Sequence, residues 1–139
     1  MIVVGYSSGA FGRACLEQAI VEARVRDTDL LVINAVSESR GQRVAEPEEI
    51  VEAEQRLASA GVSFRISQPI GVTPAEELLT AMDAPDAEML IIGMRRRSQV
   101  GKLLLGSTSQ YLLLECRKPV LVVKPTDAHR REESESVAE

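Results

Sequence analysis

Four short stretches of this chain are almost purely aliphatic: "MIVVGY" at the start, "DLLVINAV" at residues 29–36, "AEMLIIG" at 87–93 and "PVLVVK" at 119–124. A strand with one wet face alternates apolar and polar side chains, whereas a strand covered on both faces reads as a continuous run. Each run is far shorter than the ~18 apolar residues a membrane-crossing helix needs. The runs therefore predict buried parallel strands, and parallel strands need crossovers. The segments between them supply helical patterns. Leu16, Ala19, Ile20 and Ala23 fall on one face, predicting a helix from Ala14 to about Arg26. Pro47 followed by Glu48 and Glu49 starts a second helix, which runs to Ser59 with Gly61 as its C-cap. Thr73, Pro74 and Glu76 have the form of a capping box and start a third, and Ser107 with Gln110 three residues on caps a fourth.

The remaining strand, "VSFRISQP", alternates in polarity, as expected of a sheet edge. Strands and helices thus succeed one another as β-α-β-α-β-α-β-loop-α-β. This succession predicts an α/β fold, an open sheet of five parallel strands with helices on both faces. One folded domain covers residues 1–125. The tail 126–139 has Arg130, Arg131, four glutamates and almost nothing apolar, and is expected to be disordered.

Composition narrows the function. With only 3% aromatic residues, no Trp and a net charge of -5, the chain lacks the stacking surfaces and the overall positive charge of a nucleic-acid binder, and it has no attraction for an anionic membrane. Cys15 and Cys116 fall inside apolar helical patterns, which predicts reduced core thiols. The lone histidine, His129, sits in the tail, so no His-based triad or metal cluster can form around it. No basic segment precedes an apolar stretch of signal-peptide length, and a cytoplasmic location is expected.

In an open parallel sheet, ligands bind beyond the carboxyl ends of the strands, where the strand order reverses. The turn after the first strand, "GYSSGAFGR", is glycine-rich. Its spacing is not G-x-G-x-x-G, however, and Asn34 stands where a ribose-binding acid would end the second strand. It also lacks the Asp and final Ser of an SGGxDS phosphate loop. The loop after the fourth strand is more coherent. Gly93 ends that strand, Gly106 and Ser107 open a helix whose free N–H groups attract anions, and Arg95, Arg96, Arg97 and Lys102 lie between. Singly, a helix cap and a charge run are bland surface features; together, at the place where this fold forms a crevice, they predict an anion site.

The stretch "GMRRRSQVGKLLLGSTSQYLLLECRKPVLVVK" resembles the carboxyl-terminal signature of the universal stress protein family, in which G-x2-G-x9-G-[S/T] leads into the last helix and a PVLVV strand follows. The similarity extends over residues 1 to about 125. It implies a Rossmann-like sheet in strand order 3-2-1-4-5, a homodimer, and a non-enzymatic role in stress physiology. The bound molecule it implies is an adenine nucleotide, ATP or AMP, with Mg2+ accompanying a triphosphate. By position, Gly93 is the first motif glycine, Gly106 the third and Ser107 the following Ser/Thr, flanked by Met94 and Thr108. The backbone of Ala35 and Val36 corresponds to the adenine site, and Tyr6, Ser7 and Ser8 to the turn that meets the nucleotide. Two positions depart from the pattern: Arg96 replaces the second glycine, and Tyr6 replaces an acid. Arg96 either blocks the phosphates or adds a guanidinium to them, with Arg95 and Arg97 beside it. Strand five would be a free sheet edge open to a second subunit, so a nucleotide-free dimeric interaction module of the same fold remains the alternative.

Overall fold

The computed structural model describes residues 1–36, 45–94, 96–97 and 103–138. In chain order these form β1 (Ile2–Gly5), α1 (Ala10–Arg26), β2 (Leu30–Ile33), α2 (Pro47–Ser59), β3 (Phe64–Ser67), α3 (Pro74–Met82) and β4 (Met89–Gly93). Two short strands follow, β5 (Arg96–Arg97) and β6 (Leu103–Leu104), then α4 (Ser107–Glu115), β7 (Val120–Val123) and α5 (Asp127–Ala138). The main sheet has five parallel strands in the order β3-β2-β1-β4-β7, which is the 3-2-1-4-5 arrangement expected above.

Alternation along the strands divides the core in two. On one face Ile2, Val4, Leu30, Val32 and Ile91 pack with Leu16, Ala19 and Leu57 of α1 and α2. On the other, Val3, Ile33, Leu90 and Ile92 pack with Leu78 and Met82 of α3 and Leu112 of α4. Both faces are covered, which is why β1, β2 and β4 carry continuous aliphatic runs. The alternating β3 does lie at an edge. Cys15 and Cys116 are free thiols, one buried and one half-buried.

Local expectations are corrected in four places. Helix α1 starts at Ala10, four residues before the pattern suggested, because Gly9 takes φ 95 and ψ -172 at its N-cap, a conformation open essentially to glycine alone. Thr73 does cap α3 by position, but without a side-chain cap bond, and Glu76 accepts instead from the Tyr111 hydroxyl at 3.3 Å. Gly106, not Ser107, is the N-cap of α4, and the Gln110 side chain donates to the Leu105 carbonyl.

The tail is the largest correction. Residues expected to be disordered form α5, which packs on α1. Thr126 and His129 cap its start reciprocally: the Thr126 N–H donates to His129 Nδ1 at 3.2 Å, and the His129 N–H donates to Thr126 Oγ1 at 3.4 Å. Glu132 pairs with Arg13, and His129 Nε2 lies 3.5 Å from a Glu17 oxygen, so polar contacts to α1 replace the missing apolar face. Among the described residues no helix is long and apolar enough to cross a membrane.

One side chain ties the lower end of the sheet together. Lys118, just before β7, donates to the carbonyls of Met82 at 2.8 Å, Ala84 at 2.9 Å and Ala87 at 2.7 Å, closing the carboxyl end of α3. Replacing Lys118 by Met should lower stability by about 2 kcal/mol, since a charged donor and its three acceptors lose each other. In urea the midpoint should fall with an unchanged slope; an unchanged midpoint would show the ammonium to be dispensable.

Candidate functional site

The chain leaves the sheet in opposite directions after β1 and β4. A crevice forms there, lined by Gly5, Ser7, Phe11, Gly93, Thr108 and Ser109 together with Cys15, Leu78, Ile92, Met94 and Leu112. Its enclosed part measures about 20 Å³, enough for a water-sized group and far below the ~300 Å³ at which small-molecule pockets begin. A larger ligand would lie across its rim, with this cavity as floor.

Each wall has a sequence origin. Gly12 lets the first turn lie on α1: a Cβ at that position would stand 1.6 Å from the Ser7 carbonyl oxygen, where no atom can be. Gly5 is less constrained: a Cβ there would stand 3.1 Å from a Leu78 methyl, which a small shift of that side chain would relieve. Gly93 and Gly106 are different. A Cβ on Gly93 would make ordinary contact with Phe11 and Cys15 at 3.7 and 3.8 Å, and one on Gly106 would meet nothing within 4 Å. Neither glycine is required by the packing of the described residues, and Gly93 lines the crevice.

The opening of α4 supplies the electrostatics. With Gly106 as N-cap and no side-chain cap bond, the N–H groups of the first turn, Ser107, Thr108 and Ser109, stand at the positive end of the helix dipole. Ser107 is exposed, Thr108 half-buried, and Ser109 only 4% exposed. Sequence reasoning passed over Ser109, although three consecutive hydroxyl residues at a helix start are a visible signal. Its Oγ donates to the Gly93 carbonyl across 3.5 Å, a long contact that joins α4 to the end of β4.

The structure brings Ser7, Gly93, Met94 and Thr108 of the expected set together on this crevice; Gly106 and Ser107 precede Thr108 at the start of α4 and are not part of its lining. Ser8 is half-buried in the following bend and does not line it. Tyr6 points away, into the core cluster under α1 and α2; burial, and then the Glu49 charge, raise its phenol pKa above the ordinary value. Ala35 and Val36 follow β2, both buried. Arg96 and Arg97 form β5, paired antiparallel with β6 as Arg96↔Leu104 and Arg97↔Leu103. This hairpin was not foreseen, and the extended backbone it gives Arg96 needs no left-handed conformation, so the arginine adds no backbone strain where a glycine was expected. Arg95 and Lys102 lie outside the described residues. Among the described residues no group of three His, Cys, Asp or Glu is placed to hold a metal ion.

An open parallel sheet reversing its order at β1, with helices on both faces, defines a Rossmann-like domain. A profile of the Universal stress protein family matches residues 1–124. A universal stress protein of Mycolicibacterium smegmatis is 59% identical over 127 residues, covering 90% of this chain and 98% of that protein. Among solved structures, the universal stress protein of Archaeoglobus fulgidus superposes with a TM-score of 0.65 at 28% identity, covering 88% of this chain and 97% of that one. Another structure of the universal stress protein from that organism, in complex with dAMP, gives 0.60 at 24% identity, covering 88% and 96%. The chain belongs to the universal stress protein family.

The tight contact at Gly12 gives a direct check on how the crevice is built. Gly12→Ala should destabilise the fold by about 3 kcal/mol or more, because the helix and the first turn must separate to admit a methyl group. Gly106→Ala, which meets open space, should leave the unfolding free energy from urea titration within about 0.5 kcal/mol after allowance for glycine entropy. Equal effects would contradict the assignment of Gly12 alone to the packing of the first turn.

Proposed function

We propose that the protein binds an adenine nucleotide, ATP or AMP, across this crevice and acts as a non-catalytic regulator in the stress response. The observation that carries it is the uncapped first turn of α4, which meets Gly93 and Ser7 where the sheet order reverses. Phosphates would lie over Gly93 and the N–H groups of Ser107 and Thr108, with Arg95, Arg96 and Arg97 supplying positive charge. The base would reach toward Ala35 and Val36. The dAMP complex of an Archaeoglobus fulgidus relative supports an adenine nucleotide as the ligand class. Mg2+ would come with a triphosphate, coordinated by phosphate oxygens and water rather than by a carboxylate cluster of the protein.

A non-catalytic role fits the side chains at hand. Tyr6 stands in place of the acid after the first strand and its phenol is turned into the core. His129, on α5, is engaged with Thr126 and with Glu17 of α1. Neither is placed to activate a water over the crevice. Calorimetric titration with ATP, ADP and AMP should give saturable heat for at least one of them. Gly106→Val together with Ser107→Ala should weaken that binding tenfold or more, on the order expected for losing charge-assisted bonds and close backbone approach. No heat at millimolar nucleotide would overturn the proposal, as would nucleotide hydrolysis that depends on Ser107 overturn its non-catalytic part.

A specific feature also supports a homodimer. Strand β7 ends the sheet, is only half-buried, and stands in the chain just after Leu113 and Leu114 of α4, the latter 83% exposed. An apolar edge of this kind is satisfied by a second copy of itself. Since Pro119 and Val123 offer their carbonyls to β4, the alternation of a parallel ladder turns the N–H groups of Val120 and Val122 outward. Val122→Pro should therefore leave the sheet intact and convert a dimer to a monomer in light scattering. A monomeric parent protein, or a variant that stays dimeric, would rule out pairing through this edge.

A further inference from the structure

The ladder between β1 and β2 stops one step early, and a side chain stops it. The Tyr6 N–H donates to the Ile33 carbonyl at 2.9 Å. In a parallel pair with this register the next two bonds would run from the Ala35 N–H to the Tyr6 carbonyl and from the Ser8 N–H to the Ala35 carbonyl. Instead, the Tyr6 carbonyl accepts Asn34 Nδ2–H at 3.0 Å. Asn34 is buried, 3% exposed, and its amide is held from both ends: Oδ1 accepts the Ala45 N–H at 3.2 Å and Gln68 Nε2–H at 3.3 Å.

The neighbouring residue on the other side is committed as well. Val36 donates its N–H to the Pro69 carbonyl at 3.2 Å and accepts the Gly71 N–H at 3.0 Å, so its backbone faces β3. Strand alternation then turns the N–H and C=O of Ala35 toward β1. Among the described residues no hydrogen bond reaches either group. One donor and one acceptor are thus left side by side, beyond the carboxyl end of the central strand pair, at the base end of the proposed nucleotide site. A purine offers the matching pair along its Watson–Crick edge: in adenine, N1 accepts and the N6 amino group donates.

Building on the nucleotide-binding proposal, we infer that Asn34 is the positioning residue of the base subsite: by taking the Tyr6 carbonyl it parts β1 from β2 and leaves the Ala35 N–H and C=O to the base. Val36, whose backbone is already paired, has no such role. Without the Asn34 amide the ladder would close by a further step, and the Ala35 N–H would turn to Tyr6 rather than to a ligand.

Two measurements test this. In the ligand-free protein, the Ala35 amide should exchange rapidly with solvent deuterium by NMR, and Asn34→Leu should slow it by about tenfold or more as it gains a ladder bond. In calorimetry, Asn34→Leu should weaken AMP about tenfold while leaving inorganic tripolyphosphate within about twofold, because only the base end is altered. Asn34→Asp serves where Asn34→Leu folds poorly: it keeps the acceptor for Ala45 and Gln68, lacks the donor to Tyr6, and should show the same selective loss. Gln68→Leu leaves the bond to Tyr6 in place and should keep AMP affinity within about twofold. An Ala35 amide as protected in the parent protein as in the variants would overturn the inference, and so would equal weakening of AMP and tripolyphosphate. If the parent protein binds neither probe, the nucleotide proposal fails, and the exchange comparison alone decides whether Asn34 parts the strands.

Discussion

Everything in this fold is arranged around β1, whose Ile2, Val3 and Val4 have no solvent exposure and whose two edges are both paired. A strand buried on every side must pass its chain upward, and here the chain departs over α1 while β4 departs over the β5–β6 hairpin and α4. The strands on either side of β1 are reached in opposite directions, so the connections diverge and a crevice opens between them. Its geometry depends on backbone contact as much as on side chains. Gly12 brings α1 against the Ser7 carbonyl and Gly9 takes a backbone conformation that other residues avoid, so the first turn is fixed before any ligand arrives.

Charge is then distributed against the average of the molecule. The chain carries a net charge of -5, yet the loop between β4 and α4 concentrates arginines, and the start of α4 adds the positive end of a helix dipole. With no side-chain cap on α4, its first N–H groups are not consumed within the helix start itself. Beyond the ends of β1 and β2, the Asn34 amide donates to the Tyr6 carbonyl, and in our inference it thereby frees the backbone of Ala35, much as a side chain substitutes for a backbone group in a helix cap. On our account both ends of one nucleotide are met by backbone groups that local side chains or their absence have set free, which suits a binding protein with little catalytic apparatus.

The sheet was legible from the sequence because its signal is redundant. Continuous aliphatic runs, crossover helices and the polar alternation of β3 each point to the same order of elements. Features set by single contacts were not legible. The capping box at Thr73 and Glu76 was present as a pattern, yet Tyr111, distant in sequence, takes the glutamate. The polar tail lacks an apolar face, but Thr126, His129 and Glu132 find partners on themselves and on α1, and a helix results. Of the residues named from motif spacing, Gly93 lines the crevice, and Gly106 and Ser107 begin α4 just before its Thr108. Tyr6 was assigned by its motif position, whereas the two-residue period of Ile2 and Val4, carried one step beyond β1, turns its side chain into the core. Asn34 was noted only for the acid it is not; its role rests on a carbonyl 28 positions away in the chain, which no local pattern records.

The most direct measurement is a backbone amide NMR titration with AMP. The account predicts saturable shifts concentrated at Ser7, Ala35, Gly93, Gly106, Ser107 and Thr108, with the amides of the lower end of the sheet around Lys118 unmoved. Shifts absent at millimolar AMP, or centred away from the carboxyl ends of β1, β2 and β4, would contradict it.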